Sequence, residues 1–341
     1  MISACGDISK GSDGYMTEQA KIIIALLQLP GIGRKTIYRF VLPSPDLIFN
    51  SECVAALTTA AHAKTSRVKV FSDDEILTAM TAAEKVINEC NLSDINICSI
   101  LDSDFPTRLK AIDDPPVILF YRGCMDQINE QKTIAIIGTR EPTDFGFRIA
   151  IRIGEMMAES GIITVSGLAL GCDTGGHTGT INKNGSTVAV LANGLDVIYP
   201  KENLGLASEI INLGGCLISE YPPHSEMQRG YFVDRDRLQA ALSDAVFVVE
   251  TDIKGGTMHT VGFAQKYGKP IYCFNHPEKY LSEPKTQGNQ KLIAEGVGLP
   301  VYSKEQLAEM ISSIKKMHSN SIQIRQAEQL SLFPGGATND Q

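Results

Sequence analysis

From Lys132 onward, short apolar runs rich in β-branched residues alternate with longer segments in which apolar residues recur at helical spacing. The short runs are TIAIIG, IITVSG, STVAVLA, GGCLIS, DAVFVVE and KPIYCF. Strands separated by helices of this length form right-handed βαβ crossovers, and these arrange the strands in parallel. The alternation therefore predicts an α/β fold with a mainly parallel sheet, whose ligands bind at the carboxyl ends of the strands.

The length of 341 residues favours more than one structural unit. Thr17 is a candidate N-cap, and KIIIALLQLPGIGRKTIYRFV predicts a helix, a Gly-rich turn and a second helix. Two further short helices are expected between Ser51 and Asn91, and one amphipathic helix, KEQLAEMISSIKKM, after Tyr302. The predicted units are a flexible terminus (1–16), a small helical domain (17–95), a connector ending in a first strand (96–131), an α/β domain (132–317) and a flexible tail (318–341).

Composition narrows the classes of function. The sequence has no apolar run long enough to span a bilayer and no signal-peptide pattern at its start, so we expect a cytoplasmic protein without membrane contact. Its eight cysteines are scattered without a CxxC pair, and this predicts neither a metal site nor a disulfide framework. We likewise expect no cofactor.

Net charge limits how the chain could bind nucleic acid. The formal charge is −8, and acidic residues outnumber basic ones in residues 1–131 (17 to 12) and in residues 132–302 (18 to 15). Non-specific DNA affinity comes mainly from Lys and Arg that displace counterions. No segment is a basic tail, so any DNA site must be a local pocket.

Three turns that follow predicted strands have the composition of phosphate-binding loops. They are Gly138-Thr139-Arg140, Ser166-Gly167 and Lys254-Gly255-Gly256-Thr257, and the last of them opens a helix. Glycine permits close approach of a ligand, arginine can bind two oxygens at once, and amides at a helix N-terminus attract anions. Each turn alone is equally compatible with an ordinary strand-to-helix connection, but the carboxyl ends of parallel strands meet at one edge of the sheet. The three together indicate an anion site.

Six motifs in order resemble those of the DNA processing protein A (DprA) family. They are IGTR (137–140), SGLALGCDTGGH (166–177), GSTVAVLANGLDVIYPKEN (185–203), LISEYPP (217–223), FVDRDRLQAALSD (232–244) and GGT (255–257). The upstream FPTRLKAIDDPPVILFYRG is also similar to that family, and the resemblance covers about residues 100–302. It implies that residues 132–317 form an extended Rossmann-like domain and that the helical domain at 17–95 is of helix-hairpin-helix or SAM-like type. It also implies that the protein binds single-stranded DNA, forms a homodimer and helps to load the RecA recombinase in recombination and transformation.

The resemblance also implies a set of DNA-binding positions. Those that supply cations are Arg140, Lys201, Arg235 and Arg237. Those that supply turns, amides or polar groups are Gly138, Thr139, Ser166, Gly167, Asn203, Gly255, Gly256 and Thr257. Phe232 either stacks on a base, which is worth about 1–3 kcal/mol, or forms an apolar plug beneath the loop.

This chain departs from the family at three positions. Where the family typically reads FPxRNR the chain reads FVDRDR, so that Val233 replaces a proline and Asp236 replaces an asparagine. Leu170 stands where the family has a basic residue after SGLA. A carboxylate near phosphate is repulsive and pairs with arginine instead, so Asp236 is expected to neutralise part of the site.

Two short motifs outside the sheet suggest further contacts. LPGIG (29–33) is similar to a helix-hairpin-helix turn, which binds one DNA phosphate through amides; it equally suits a protein contact or an ordinary turn. In the tail, Gln329-Leu330-Ser331-Leu332-Phe333 resembles the pentapeptide that docks bacterial proteins onto the polymerase sliding clamp. The clamp is therefore a candidate partner.

Two alternative functions remain open at this level. The superfamily that contains the DprA family also includes nucleotide phosphoribohydrolase-like proteins, which combine a Gly-Gly-Thr turn with a nearby glutamate. The turn at residues 255–257 and Glu250 resemble that combination, so the chain could be a sensor of free nucleotides or an enzyme of this type. Glu220 and the loop histidines at 177, 224, 259 and 276 show no triad or metal spacing, and we predict no catalytic residues. The chain could also be chiefly an adaptor that recruits the clamp.

Overall fold

The computed structural model describes residues 17–44 and 47–317. Its sheet has nine strands in the order β1-β2-β6-β5-β4-β3-β7-β8-β9. The strands are β1 Asn96–Ser99, β2 Ile118–Gly123, β3 Lys132–Ile137, β4 Ile162–Ser166, β5 Thr187–Val190, β6 Cys216–Ser219, β7 Ala245–Val248, β8 Ile271–Phe274 and β9 Leu299–Val301. Strand β2 pairs antiparallel with β1 and β6, and the other neighbours pair in parallel. The predicted α/β fold with a mainly parallel sheet is confirmed.

The strand order reverses direction at β3, which lies between β4 and β7. After β3 the chain adds β4, β5 and β6 on one side, and it later adds β7, β8 and β9 on the other. Residues of β4, β5, β6, β7 and β8 are all buried, which is why their sequences are continuous apolar runs rather than alternating ones. In open α/β sheets the crevice beyond such a reversal is the usual place for a ligand.

Thirteen α-helices accompany the sheet within residues 17–44 and 47–317, besides a π-helical turn at Ile37–Val41 and three short 3-10 turns at Lys201–Asn203, Glu278–Tyr280 and Pro284–Thr286. The α-helices are α1 Glu18–Leu27, α2 Arg34–Thr36, α3 Ser51–Lys64, α4 Asp73–Leu92, α5 Thr107–Lys110, α6 Asp126–Glu130, α7 Asp144–Glu159, α8 Cys172–Asn182, α9 Leu204–Asn212, α10 Arg229–Leu242, α11 Thr257–Lys266, α12 Gln287–Ala294 and α13 Lys304–Lys316. Thr17 caps α1 by accepting a hydrogen bond from the Ala20 amide at 3.2 Å, as predicted. None of the described helices combines the length and the apolar character that a bilayer crossing requires.

Helix α8 owes its position to glycines that let it approach α7 closely. A Cβ on Gly179 would lie 1.9 Å from the Ile151 carbonyl oxygen, and one on Gly154 would lie 2.3 Å from the Gly176 carbonyl oxygen. Glycine has low helix propensity, so the sequence of α8 gives little sign of a helix. At its start, the Cys172 amide donates to the Thr139 carbonyl at 3.1 Å, so α8 begins beside the turn that follows β3.

The N-terminal helices pack on the sheet rather than standing apart from it. Ile23 and Leu26 of α1 belong to the same buried cluster as Leu119 of β2 and Leu217 of β6. Between α1 and α2 the chain turns at Gly31, whose φ of +83° and 2.7 Å separation between an added Cβ and the Arg67 carbonyl oxygen require glycine. The sequence predicts the helices on both sides of this turn, and both are present. The proposed domain boundaries stay predictions.

Two regions differ from the sequence predictions. Residues 96–131, for which the sequence predicts one strand, contain both β1 and β2. Strand β1 is only four residues long and only its second half is buried, so it has no apolar run that would predict it. Helices α3 and α4 have 14 and 20 residues and are longer than expected. The predicted flexible terminus (1–16) and tail (318–341) lie outside the described residues.

Candidate nucleic-acid interface

A cavity of about 680 Å³ lies at the carboxyl ends of β3 and β7, where the strand order reverses. The structure brings many of the sequence-predicted positions to it. Those that line it are Gly138, Thr139, Arg140, Phe232, Arg235, Gly255, Gly256 and Thr257. Gly167 lines a smaller adjoining pocket together with Leu170 and Tyr199, and Arg140, Phe232 and Arg235 contribute to both pockets.

The turn after β3 is held between the end of β7 and the start of α8. The Thr139 amide donates to the Glu250 carbonyl at 2.7 Å, and the Thr139 carbonyl accepts from the Cys172 amide at 3.1 Å. A Cβ on Gly138 would lie 2.4 Å from Cys172 Sγ, so this position tolerates no side chain. The fixed turn places Arg140 in solvent at the cavity, with its guanidinium 5.2 Å from the centre of the Phe232 ring.

In the turn after β4, two backbone amides donate hydrogen bonds to a side chain of the protein itself. The Asp173 carboxylate accepts from the amides of Gly167 at 3.1 Å and Ala169 at 3.3 Å. Leu168 adopts a left-handed φ of +58°, and Asn203 Nδ2 donates to its carbonyl at 2.7 Å. The Gly167 amide is thus engaged in the structure as it stands, although sequence analysis expects it to face a phosphate.

Arg235 lies at the base of the cavity and is only 7% exposed. Its Nη1 is 3.5 Å from Asp173 Oδ2, and its Nε is 3.4 Å from Asp236 Oδ1. In the amide orientation that satisfies its neighbours, Gln239 accepts from Arg235 Nη1 at 2.7 Å. A Cβ on Gly167 would lie 1.1 Å from Arg235 Nη1, so glycine at that position makes room for the guanidinium.

The turn after β7 leaves amides free at the start of α11. The Met258 and His259 amides donate to the carbonyls of Gly255 and Gly256, each at 3.0 Å. Within the described part of the chain, the amides of Gly256 and Thr257 donate to no protein acceptor, and no side chain caps this helix. Unpaired amides at a helix N-terminus attract anions. The start of α11 thus offers two free amides at the cavity, and the phosphate contact that the sequence predicts for this turn stays a prediction.

Charged side chains of both signs surround the cavity. The basic ones are Arg140, Arg229, Arg235, Lys254 and Lys285, and the acidic ones are Glu141, Asp173, Asp236 and Asp252. Arg235 and Lys285 form ion pairs, whereas Arg140, Arg229 and Lys254 form none with any residue that the structure describes. Three exposed cations are therefore free for an anionic ligand, which the negative net charge of the chain does not reveal.

Asp236 forms an ion pair with Arg235 and none with Arg237 among the residues that the structure describes, so it offsets part of the positive charge of the cavity. The pKa of its carboxyl is raised to about 6, mainly because the group is buried and also because Asp173 is near, while the nearby Arg235, His259 and Arg140 oppose the rise. Arg237, the other arginine next to it in sequence, points elsewhere. It is 3% exposed, donates to the Glu220 carboxylate and to the Asp114 carbonyl, and does not line the cavity.

Three other predicted positions also lie outside the main cavity. The Ser166 hydroxyl is buried and donates to the Ile136 carbonyl at 2.6 Å. Asn203 is buried behind the β4 turn, and Lys201 is exposed on the short helical turn before α9. These residues support the turns, or lie at a distance from the cavity, and their predicted DNA contacts stay predictions.

Three of the acidic and histidine candidates for catalysis, Glu250, His177 and His276, are buried and do not line the cavity. The Glu250 carboxylate is fully buried and accepts from the Thr143 amide at 2.8 Å and the Thr143 hydroxyl at 2.7 Å. His276 Nε2 lies 3.4 Å from the same carboxylate. His177 is buried against Thr187 at 2.7 Å, and burial lowers its pKa to about 3. Of the four loop histidines, His259 lines the cavity.

Sequence reasoning missed several residues of the site. Asp173 organises the β4 turn, Gln239 holds Arg235, and Arg229 and Lys285 add charge to the rim. Asp173 lies in the first turn of α8, where a carboxylate is a common sign of a helix start. The glycines of α8 are untypical of a helix, so the sequence does not indicate that Asp173 stands at one. The clamp-like residues Gln329, Leu330, Leu332 and Phe333 lie outside the described residues.

Comparison with known proteins places the chain in a family. The model of the family described as DNA recombination-mediator protein A matches residues 96–312. Among curated proteins, the chain is 37% identical over 217 residues to Protein Smf from Synechocystis sp., covering 62% of this chain and 53% of that protein. It is 34% identical over 215 residues to DNA processing protein DprA from Bacillus subtilis, covering 63% of this chain and 71% of that protein. The match thus spans about half the length of the first of these relatives.

Solved structures agree with the fold. The X-ray structure of DNA processing protein A from Streptococcus pneumoniae superposes with a TM-score of 0.70 at 24% identity, covering 86% of this chain and 98% of that one. A structure of DNA processing protein A from Helicobacter pylori, reported for its single-stranded DNA binding mode, superposes with a TM-score of 0.57 at 28% identity, covering 66% and 98%. The family model matches well over half of the chain, and the fold is that of the solved family structures. The chain therefore belongs to the DNA recombination-mediator protein A family.

Proposed function

We propose that this chain binds single-stranded DNA in the cavity at the ends of β3 and β7, without catalysing a reaction. The observation that carries the proposal is that one cavity is lined by the unpaired cations Arg140, Arg229 and Lys254, by Phe232 and by the free amides that begin α11. Cations and amides suit phosphates, and an aromatic ring beside a guanidinium suits a base. The Helicobacter pylori relative, described as binding single-stranded DNA, supports the same ligand.

Single strands fit this site better than a duplex does. Phe232 is half-buried, and one face of its ring is covered by the Arg140 guanidinium. A base can stack there only if its own face is exposed, and that condition holds for unpaired bases. The proposal therefore includes a preference for single-stranded over double-stranded DNA.

Arg140→Ala should weaken binding to a labelled mixed-sequence 30-nucleotide single strand by about tenfold, because it removes one charged phosphate contact and its stacking surface. The salt dependence should also fall by about 0.7 in logarithmic slope. Fluorescence anisotropy titrations at several salt concentrations, with single-stranded and duplex DNA, measure both effects.

Arg152→Ala is the matched control, since Arg152 is an exposed arginine of α7 that does not line the cavity. It should leave affinity and salt slope unchanged within error. The proposal fails if the folded wild type ignores single-stranded DNA at low salt, or if the two variants weaken binding equally.

The position of Glu250 supports a binding protein over the enzyme alternative. Glu250, the glutamate next to the Gly-Gly-Thr turn, is absent from the cavity lining and has its carboxylate oxygens engaged by Thr143. We therefore propose a binding protein over a nucleotide phosphoribohydrolase. Free nucleotide binding by the same groups remains compatible with the cavity.

The finer parts of the proposal rest on the family and the sequence alone. They are action as a homodimer, delivery of DNA to the RecA recombinase, a cytoplasmic location and recruitment of the sliding clamp through residues 329–333. The clamp-recruiting adaptor stays a prediction, because its motif lies outside the described residues.

A further inference from the structure

Asp236 has hydrogen-bonding capacity that the protein does not use. Its side chain lines the cavity and is 13% exposed. It makes no hydrogen bond with any residue that the structure describes, and its ion-pair contact is with Arg235 Nε at 3.4 Å. An ionised carboxylate offers two acceptor oxygens, and buried acceptors in folded proteins normally have donors. A ligand in the cavity can supply them.

The neighbours of Asp236 indicate which part of a ligand would reach it. Phe232 and Asp236 are four residues apart on α10, so they lie on one face of the helix, and both line the cavity. A base stacked at Phe232 and Arg140 would therefore have an edge near the Asp236 carboxylate. Single-stranded bases are read along such edges by hydrogen bonds.

The four bases differ in what they offer to a carboxylate. Guanine presents a ring N–H and an amino group side by side, and one carboxylate can accept from both. Adenine and cytosine present an amino group beside a ring nitrogen acceptor, which repels a carboxylate. Thymine presents one N–H between two carbonyl oxygens. An acceptor-only side chain thus matches guanine best.

We infer that Asp236 makes the cavity selective for guanine, accepting hydrogen bonds from its ring N–H and amino group while the base stacks at Phe232 and Arg140. This inference rests on the proposed binding of single-stranded DNA in the cavity. It concerns which base is held, whereas the phosphate contacts are indifferent to sequence.

The charge state of Asp236 makes the selectivity dependent on pH. The charged or titratable groups that act on it are Arg235 on α10, Asp173 on α8, His259 on α11 and Arg140 after β3. Burial raises its pKa to about 6. At pH 8 the group is an acceptor-only carboxylate, and as pH falls through 6 it gains a proton that blocks one oxygen. Guanine preference should decline over that range.

Four 20-nucleotide single strands test the inference by anisotropy at pH 8. One is all thymine, and the others alternate thymine with guanine, hypoxanthine or adenine. The wild type should bind the guanine strand about five- to tenfold more tightly than the thymine or adenine strands. Hypoxanthine keeps the ring N–H but lacks the amino group, so the affinity for its strand should lie between that for the guanine strand and those for the thymine and adenine strands. Asp236→Asn should reduce the guanine-to-thymine ratio to about twofold or less.

Asp144→Asn is the matched control, because Asp144 is an exposed carboxylate in the first turn of α7 that does not line the cavity. It should keep the guanine preference. The inference would be overturned if the wild type bound all four strands with equal affinity, or if Asp236→Asn raised the affinity for all four strands by the same factor. Either result would leave the proposed function standing. A wild-type ratio unchanged between pH 8 and pH 5 would also count against it. Failure of the folded wild type to bind any strand would overturn both.

Discussion

Arg237→Ala should lower the free energy of unfolding by about 3–5 kcal/mol, because it leaves a buried carboxylate without its partner. The Arg237 guanidinium is 3% exposed and donates to the Glu220 carboxylate and the Asp114 carbonyl. Burial already raises the pKa of Glu220 despite the attraction of Arg237. Without that arginine the glutamate must be buried unpaired or take up a proton. Urea unfolding followed by circular dichroism measures the loss.

Arg229→Ala provides the contrast on the same helix. Arg229 is exposed at the cavity and forms no ion pair with the described residues, so its removal should change stability by no more than about 0.5 kcal/mol while weakening DNA binding. Arg237→Lys, which keeps the charge without the two-nitrogen geometry, should be intermediate in stability. If Arg237→Ala unfolds like the wild type but no longer binds DNA, then Arg237 is a ligand residue, as the family resemblance implies.

Glu250→Ala should destabilise the protein by roughly 3 kcal/mol, since two charge-assisted hydrogen bonds to Thr143 lose their acceptor in a fully buried setting. Thr143 is the N-cap of α7 and accepts from the Gly146 amide at 3.0 Å. A Cβ on Gly146 would lie 2.2 Å from the Glu250 carboxyl carbon, which shows how closely the helix start fits around this residue. Thermal unfolding of the variant measures the effect.

Glu250→Gln keeps one acceptor oxygen for Thr143 and should lose less stability than Glu250→Ala. Both variants should bind single-stranded DNA as the wild type does, at temperatures where they are folded. The enzyme alternative makes the opposite prediction: release of free base from a nucleoside monophosphate by the wild type, abolished in a stable Glu250→Gln. That result would replace the structural role of Glu250 with a catalytic one.

Much of the fold could be predicted because burial on both faces makes a parallel strand a continuous apolar run. The runs that contain Ile136, Val165, Val188, Leu217 and Val246 all fall on strands. Helix α8 was harder to predict, since the glycines that let it approach α7 are the residues least typical of helices. Short edge strands such as β1 and β9 carry too few apolar residues to stand out.

The site was predictable where it depends on local sequence and less so where it depends on distant pairing. The turns at Gly138 and Gly255 follow strands, so the sequence places them at one edge of the sheet. The difference between Arg235 and Arg237 could not be predicted, because two positions along a helix turn one side chain toward the cavity and the other toward Glu220. Asp173 likewise meets Arg235 across 62 residues of sequence.

The central claim is that single-stranded DNA lies in the cavity beside Phe232, and photocrosslinking tests it most directly. A mixed-sequence single strand with 4-thiothymine at several positions is bound to the wild type, irradiated and digested with trypsin. Because Phe232 lies between Arg229 and Arg235, its tryptic peptide is residues 230–235. The account predicts a crosslink within this peptide, lost when excess unlabelled single strand competes. Crosslinks confined to the N-terminal turn at residues 29–33, with none at the cavity, would contradict it.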